Sequence, residues 1–261
     1  MHKLFWISSA LGAAAFTAGI VAMNDTPELS RERTTASNTA GAAATRQDVV
    51  VEFFTSQGCS SCPPSDRLAA RLSREPGIVV IQRPVTYWDR LGWKDTLGKE
   101  ANTTLQRAYA ARALGGRNGV YTPQAVIAGR TGLVGSGEAA LRQGIAEARM
   151  RSMPRIRIVP KPDGTFEAVV SGRREARAQV VLIGLDSAET VQVTRGENGG
   201  RQLRYTNIWQ GERMLGTLAG GEASFMIDAA DRRIAGADSY AVIVRQGEAG
   251  PILAGTLLPR G

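Results

Sequence analysis

Two cysteines constrain this chain more than any other feature. Cys59 and Cys62 are its only cysteines, and they stand two residues apart in TSQGCSSCPP, residues 55–64. The run before them, DVVVEFF (48–54), is β-branched and aromatic, as a strand buried on both faces requires. The run after them, PPSDRLAARLSREPG, repeats apolar residues at Leu68, Ala69 and Leu72 between prolines and Gly77, which predicts a helix. A helix N-terminus carries positive partial charge and stabilises a nearby thiolate. A second thiol two residues on can resolve a mixed disulfide quickly, because so short a loop closes easily. Pro63 and Pro64 suit a first helical turn, where a missing N–H costs least.

The rest of the first half supplies the frame. IVVIQRPV (78–85) reads as a second buried strand, and KEANTTLQRAYAARALGG (99–116) as a second helix ended by glycines. TPQAVIAGRTGLVGS (122–136) reads as a hairpin, and GEAALRQGIAEARM (137–150) as a third helix. Strand, helix, strand demands a parallel pair with a right-handed crossover. The closing hairpin is antiparallel, so the expected product is a mixed four-stranded sheet with flanking helices. Thr122 and Pro123 fall just before the third strand. In this order of elements, a proline there has a cis bond facing the cysteines and leaves backbone exposed for a partner chain; an ordinary trans turn proline is the plainer alternative. Together the CxxC and the Thr-Pro predict an α/β thioredoxin-like domain over 48–152.

Beyond Met153 the texture changes to short alternating runs such as GTFEAVVSG, AQVVLIGLD and SYAVIVRQ, separated by turn-rich KPDG and GENGG. That predicts an antiparallel β-sandwich-like domain over 153–261. At the other end, residues 1–23 carry Lys3 and an apolar run from Leu4 to Met23, the form of a signal peptide or an uncleaved membrane anchor. Residues 24–47 have no strand or helix period and read as a disordered linker. The expectation is therefore an exported protein, periplasmic or secreted, with a membrane tether possible through that first segment. No cysteine follows the apolar run to accept a lipid.

Several function classes fall away. The net charge of +8 is spread along the chain: 48–152 holds 14 basic against 9 acidic residues, and 153–261 holds 14 against 12. No basic run interleaves with aromatics, which argues against nucleic acid. The sole histidine is His2, inside the export segment, so Ser–His and Cys–His hydrolytic arrangements are excluded. Two thiolates make only half a tetrahedral metal site, and no other ligand cluster is visible, so no metal and no cofactor are expected. A structural disulfide remains a rival, although a bridge closing two residues restrains a long chain very little.

Around the cysteines, Tyr87, Trp88, Asp89, Trp93 and Asp95 crowd the loop after the second strand, at the sheet end where open α/β folds bind ligands. They form either an aromatic wall for a partner peptide or a small core under a long loop. Asp89 or Asp95 is placed to exchange a proton with a departing thiol. Gln57 and Gln124 flank the site, and Thr122 with Pro123 would shape a groove. RGENGGR (195–201) matches no phosphate loop and reads as a structural hairpin with salt bridges. The expected activity is thiol–disulfide exchange, with Cys59 the exposed attacking thiol, Cys62 the buried resolving one, and protein thiols or disulfides of the cell envelope as partners. The alternatives are a non-catalytic envelope binding module and a Cu(I)-binding metallochaperone.

VVVEFFTSQGCSSCPPSD, YWDRLGWKD, VYTPQAVIAG and RGENGGRQLRYTN together resemble the exported family known as domain of unknown function 1223, from about Val49 to the C-terminus. The resemblance implies a thioredoxin-like domain joined to a β-rich one, and supplies neither substrate nor reaction. The family usually reads HVDYWD where this chain reads PVTYWD (84–89). Pro84 and Thr86 thus stand where a His and an Asp could have served the cysteines, which removes that proton shuttle or metal partner here.

Overall fold

A computed structural model describes residues 48–114, 119–151, 154–172 and 177–259. The export segment and linker expected over 1–47 lie outside the described residues. Strand β1, Val49–Thr55, is buried at every position. Helix α1, Pro63–Leu72, returns the chain to β2, Ile78–Pro84, which pairs parallel to β1 with Val49 opposite Ile78. Helix α2 is Glu100–Ala111. The hairpin β3, Gln124–Ile127, and β4, Thr131–Val134, lies antiparallel on the far side of β1, with Val51 opposite Ile127. Helix α3, Glu138–Arg149, closes this half.

Strand period explains the packing. Val49, Val51 and Phe53 face Leu68 and Leu72 of α1 and Leu141 and Ile145 of α3. The alternate residues face the other way. Phe54 meets Tyr109 of α2 edge to face. Glu52, fully buried between them, accepts from Arg83 Nε at 2.5 Å and from the Tyr109 hydroxyl at 2.6 Å.

The expected four-stranded sheet is part of a larger one. β5, Arg155–Pro160, β6, Phe166–Gly172, and β9, Gly221–Ile227, form a separate three-stranded antiparallel sheet. β7, Ala178–Gln192, β8, Gln202–Leu218, β10, Ser239–Arg245, and β11, Ile252–Leu257, instead extend the first sheet beyond β2, giving the order β11-β10-β7-β8-β2-β1-β3-β4. The join is Gln82 beside Ile208, in parallel. It arises because β2 has an unpaired edge, which the long hairpin β7–β8 satisfies. The small sheet packs on the extension through Phe166, Ala168 and Val170 against Val180, Leu182 and Val242, giving two layers of which one continues the first-half sheet. A further core joins Val50, Val79 and Ile81 to Val181, Ile183 and Ile243, so the sheet coils back on itself. The described residues accordingly all fall within one compact unit. The protein is a mostly-sheet α/β structure with an eight-stranded mixed sheet and three helices among the described residues. None of those helices is long and apolar enough to cross a membrane.

Candidate functional site

Cys59 and Cys62 form a disulfide between the end of β1 and the head of α1. The turn is built by backbone bonds: Cys59 N donates to Ser56 O at 3.1 Å, and Cys62 N to Cys59 O at 3.1 Å. Cys62 is the N-cap residue, and the N–H groups of Ser65 and Asp66 bond its carbonyl. Pro63 and Pro64 fill the first turn and contribute no N–H. Ser60 and Ser61 are exposed, and the Ser61 hydroxyl lies 3.3 Å from Cys59 Sγ.

Cys59 was expected at the surface, and it is not. Both cysteines have no exposed area. Trp88 Cβ stands 3.1 Å from where a side chain on Gly58 would begin, so any larger residue there would press on Trp88. From the other half of the chain, Asn198 Nδ2 donates to the carbonyls of Gln57 and Cys59, each at 2.9 Å.

The other expected residues divide into two groups. Trp88 Nε1 donates to Thr122 Oγ1 at 2.8 Å, so the aromatic loop and the Thr-Pro turn meet, and the Thr122–Pro123 bond is cis. Thr122, Trp88 and Tyr87 are half-buried; Pro123 is buried. Burial pushes the Tyr87 phenol upward, with the Thr122 hydroxyl pulling the other way. Gln57 is a scaffold residue. It has no exposed surface; its Oε1 accepts from Trp93 Nε1 at 2.8 Å, its Nε2 donates to Thr96 Oγ1, and its backbone N donates to Asp95 Oδ2 at 2.8 Å. A side chain so committed orders the loop and does not reach a partner. Gln124 is similarly buried, accepting from Gln106 Nε2.

A buried polar cluster lies in the same region; it contains the expected Asp95, but Asp66 and Tyr205 were not among the expected residues. Asp66, one turn into α1, is 3% exposed and accepts from Gln82 Nε2 at 2.9 Å. Burial pushes its carboxyl up to about 8, and the charge of Asp95 adds to this, while the nearby Thr55 hydroxyl and the Gln82 hydrogen bond pull down. Burial likewise lifts Asp95 to about 6 against the N–H groups of Gln57 and Leu97. Burial pushes the phenol of Tyr205 on β8 well up, and the carboxylates of Asp66 and Asp95 add to this. Its hydroxyl has no hydrogen-bond partner among the described residues. One signal in the sequence pointed here: Asp66 sits on the face of α1 that carries Ala69 and Leu72, where a charge is out of place. Residues 195–201, expected as a structural hairpin with salt bridges, form the tip between β7 and β8, and Glu197 Oε2 there accepts from Ser60 N of the cysteine loop at 3.0 Å. No group of three or more potential metal ligands occurs among the described residues.

A family described as "Protein of unknown function (DUF1223)" matches residues 50–245. Among solved structures, that of protein AGR_C_4864 from Agrobacterium tumefaciens is similar at 27% identity and a TM-score of 0.69, over 82% of this chain and 94% of that one. HBP35 of Porphyromonas gingivalis is similar in fold at 13% identity and a TM-score of 0.53, over 82% of this chain and 75% of that one. Among the curated proteins none matches.

Proposed function

The chain belongs to the DUF1223 family, whose description assigns no activity, and we propose that it is an exported, thioredoxin-like thiol–disulfide exchange protein. The observation that carries this reading is the Cys59–Cys62 disulfide at the head of α1, beside Trp88 and Thr122. In the reduced protein the helix end favours a thiolate at the N-terminal side of the pair. The Cys59 thiolate attacks one sulfur of a partner disulfide, and the other partner sulfur leaves as a thiolate. The Cys62 thiol, after losing its proton, then attacks Cys59 Sγ and expels the partner's remaining thiolate. Two electrons pass to the partner, and the Cys59–Cys62 bond re-forms. The reverse sequence oxidises a partner dithiol. Partners would be protein thiols or disulfides of the cell envelope, with Trp88 and Thr122 lining their approach.

A second reading is favoured by the burial of both sulfurs: a static disulfide in a binding module on the same scaffold. Equilibration in glutathione buffers separates the two. Exchange predicts a Cys59–Cys62 potential above roughly −300 mV, within reach of cellular thiol couples. A potential below that value, with no adduct between a Cys62→Ala protein and an oxidised peptide, would leave the binding module.

A further inference from the structure

The hairpin β7–β8 ends in a tip that lies on the cysteine loop, though the bonded residues are 137 to 141 positions apart in sequence. The tip is shaped by its own backbone. Gly199 N donates to Gly196 O, Gly200 N to Val193 O, and Arg201 N to Asn198 O. Gly196 has φ of 76° and Trp93 Cβ 3.1 Å from where its own Cβ would be, so this turn accepts no other residue without strain. Asn198 is fully buried, and Arg201 Nη1 donates to its Oδ1 at 3.0 Å. That bond orients the amide so that Nδ2 reaches both carbonyls of the cysteine loop.

The chemistry of this contact bears on the redox state of the pair. A thiolate on Cys59 needs nearby N–H donors. Pro63 and Pro64 offer none, which leaves the loop's own groups, and the first of them, Ser60 N, is held by the Glu197 carboxylate. The same carboxylate places a negative charge one residue from the sulfur on which reduction would place another. Like charges disfavour the charged form.

We infer that Glu197 and Asn198 are positioning residues for the cysteine pair, holding its loop closed and biasing it toward the disulfide. The proposal rests on the exchange reading and names a regulator of that site. It also gives the C-terminal half a role: its longest hairpin controls access to chemistry housed in the N-terminal half.

The test uses the full chain as wild type, Glu197→Gln and Asn198→Ala. Glu197→Gln keeps an acceptor for Ser60 N and removes the charge at an exposed position, so it folds. Its equilibrium with glutathione should move at least threefold toward the dithiol, about 14 mV at 29.6 mV per tenfold, and alkylation of reduced Cys59 should reach its midpoint at lower pH. Asn198→Ala, if its circular dichroism is unchanged, should be reduced by dithiothreitol at least fivefold faster. In that reaction one reagent thiolate attacks Cys59 and Cys62 departs and is protonated; the second reagent thiol, losing its proton, then attacks the first reagent sulfur, closes its own ring and expels Cys59 as a thiolate. An unshifted equilibrium and alkylation midpoint in Glu197→Gln overturn the proposal while exchange stands. A wild type that glutathione cannot reduce overturns the exchange reading instead, and a shift in the variants under stronger reductant would still support the clasp.

Discussion

Asp66 is a carboxyl placed where water scarcely reaches it, and its position sets a pH dependence. Burial lifts it to about 8, far above its ordinary 3.8. The folded chain therefore keeps a proton that the unfolded chain releases above about pH 4. Stability from this group is full below that point, declines as pH rises, and levels off above about 8. Asp66→Asn keeps an acceptor for Gln82 and abolishes the decline. Urea unfolding should show the variant gaining on wild type between pH 5 and pH 8, by at most about 4 kcal/mol at 1.36 kcal/mol per pH unit. A gap that does not change with pH would mean that Asp66 is solvated. Legibility at this scale was uneven. The cysteines, Trp88 and Thr122 stood out because their residue types and spacing carry chemistry. Asn198 and Tyr205 did not, because an asparagine in a glycine-rich turn and a tyrosine in a strand are ordinary there. Only tertiary contact gives them meaning.

The elements of the first half follow their sequence signals closely. The helix expected over 99–116 is Glu100–Ala111, and the hairpin expected over 122–136 is β3–β4. The second half was harder. AQVVLIGLD reads as one short strand, yet β7 runs unbroken from Ala178 to Gln192. A register shift falls between Gly184 and Leu185, and the exposed residues 188–190 beyond it belong to the solvated end of a long hairpin. Gly255 of β11 shows how tightly these strands pack against β1. A Cβ there would lie 2.3 Å from Val50 Cγ2, inside a closed core. Gly255→Ala should lower stability by about 1–3 kcal/mol, as overpacking does, seen as a lower urea midpoint at unchanged slope. No loss would show that β11 yields freely.

At the scale of the whole molecule, the sheet's continuity was the feature least accessible to sequence reasoning. Period and composition say that a segment is a strand, but not which edge it will join. Here the join at Gln82 and Ile208 makes β2 an interior strand, and Gln82 Oε1 accepts from Thr206 N across it. Residues 48–151 alone would bare that edge together with Val50, Val79 and Ile81. That fragment should aggregate or bind a hydrophobic dye, where the whole protein stays monodisperse; a soluble, cooperatively unfolding fragment would mean that the halves fold independently. The proposed function, however, turns on one bond. Insulin reduction by dithiothreitol, followed with wild type and Cys59→Ala, tests it most directly. The account predicts acceleration by wild type and its loss in Cys59→Ala. Equal rates with both proteins, or no acceleration by either, would contradict it.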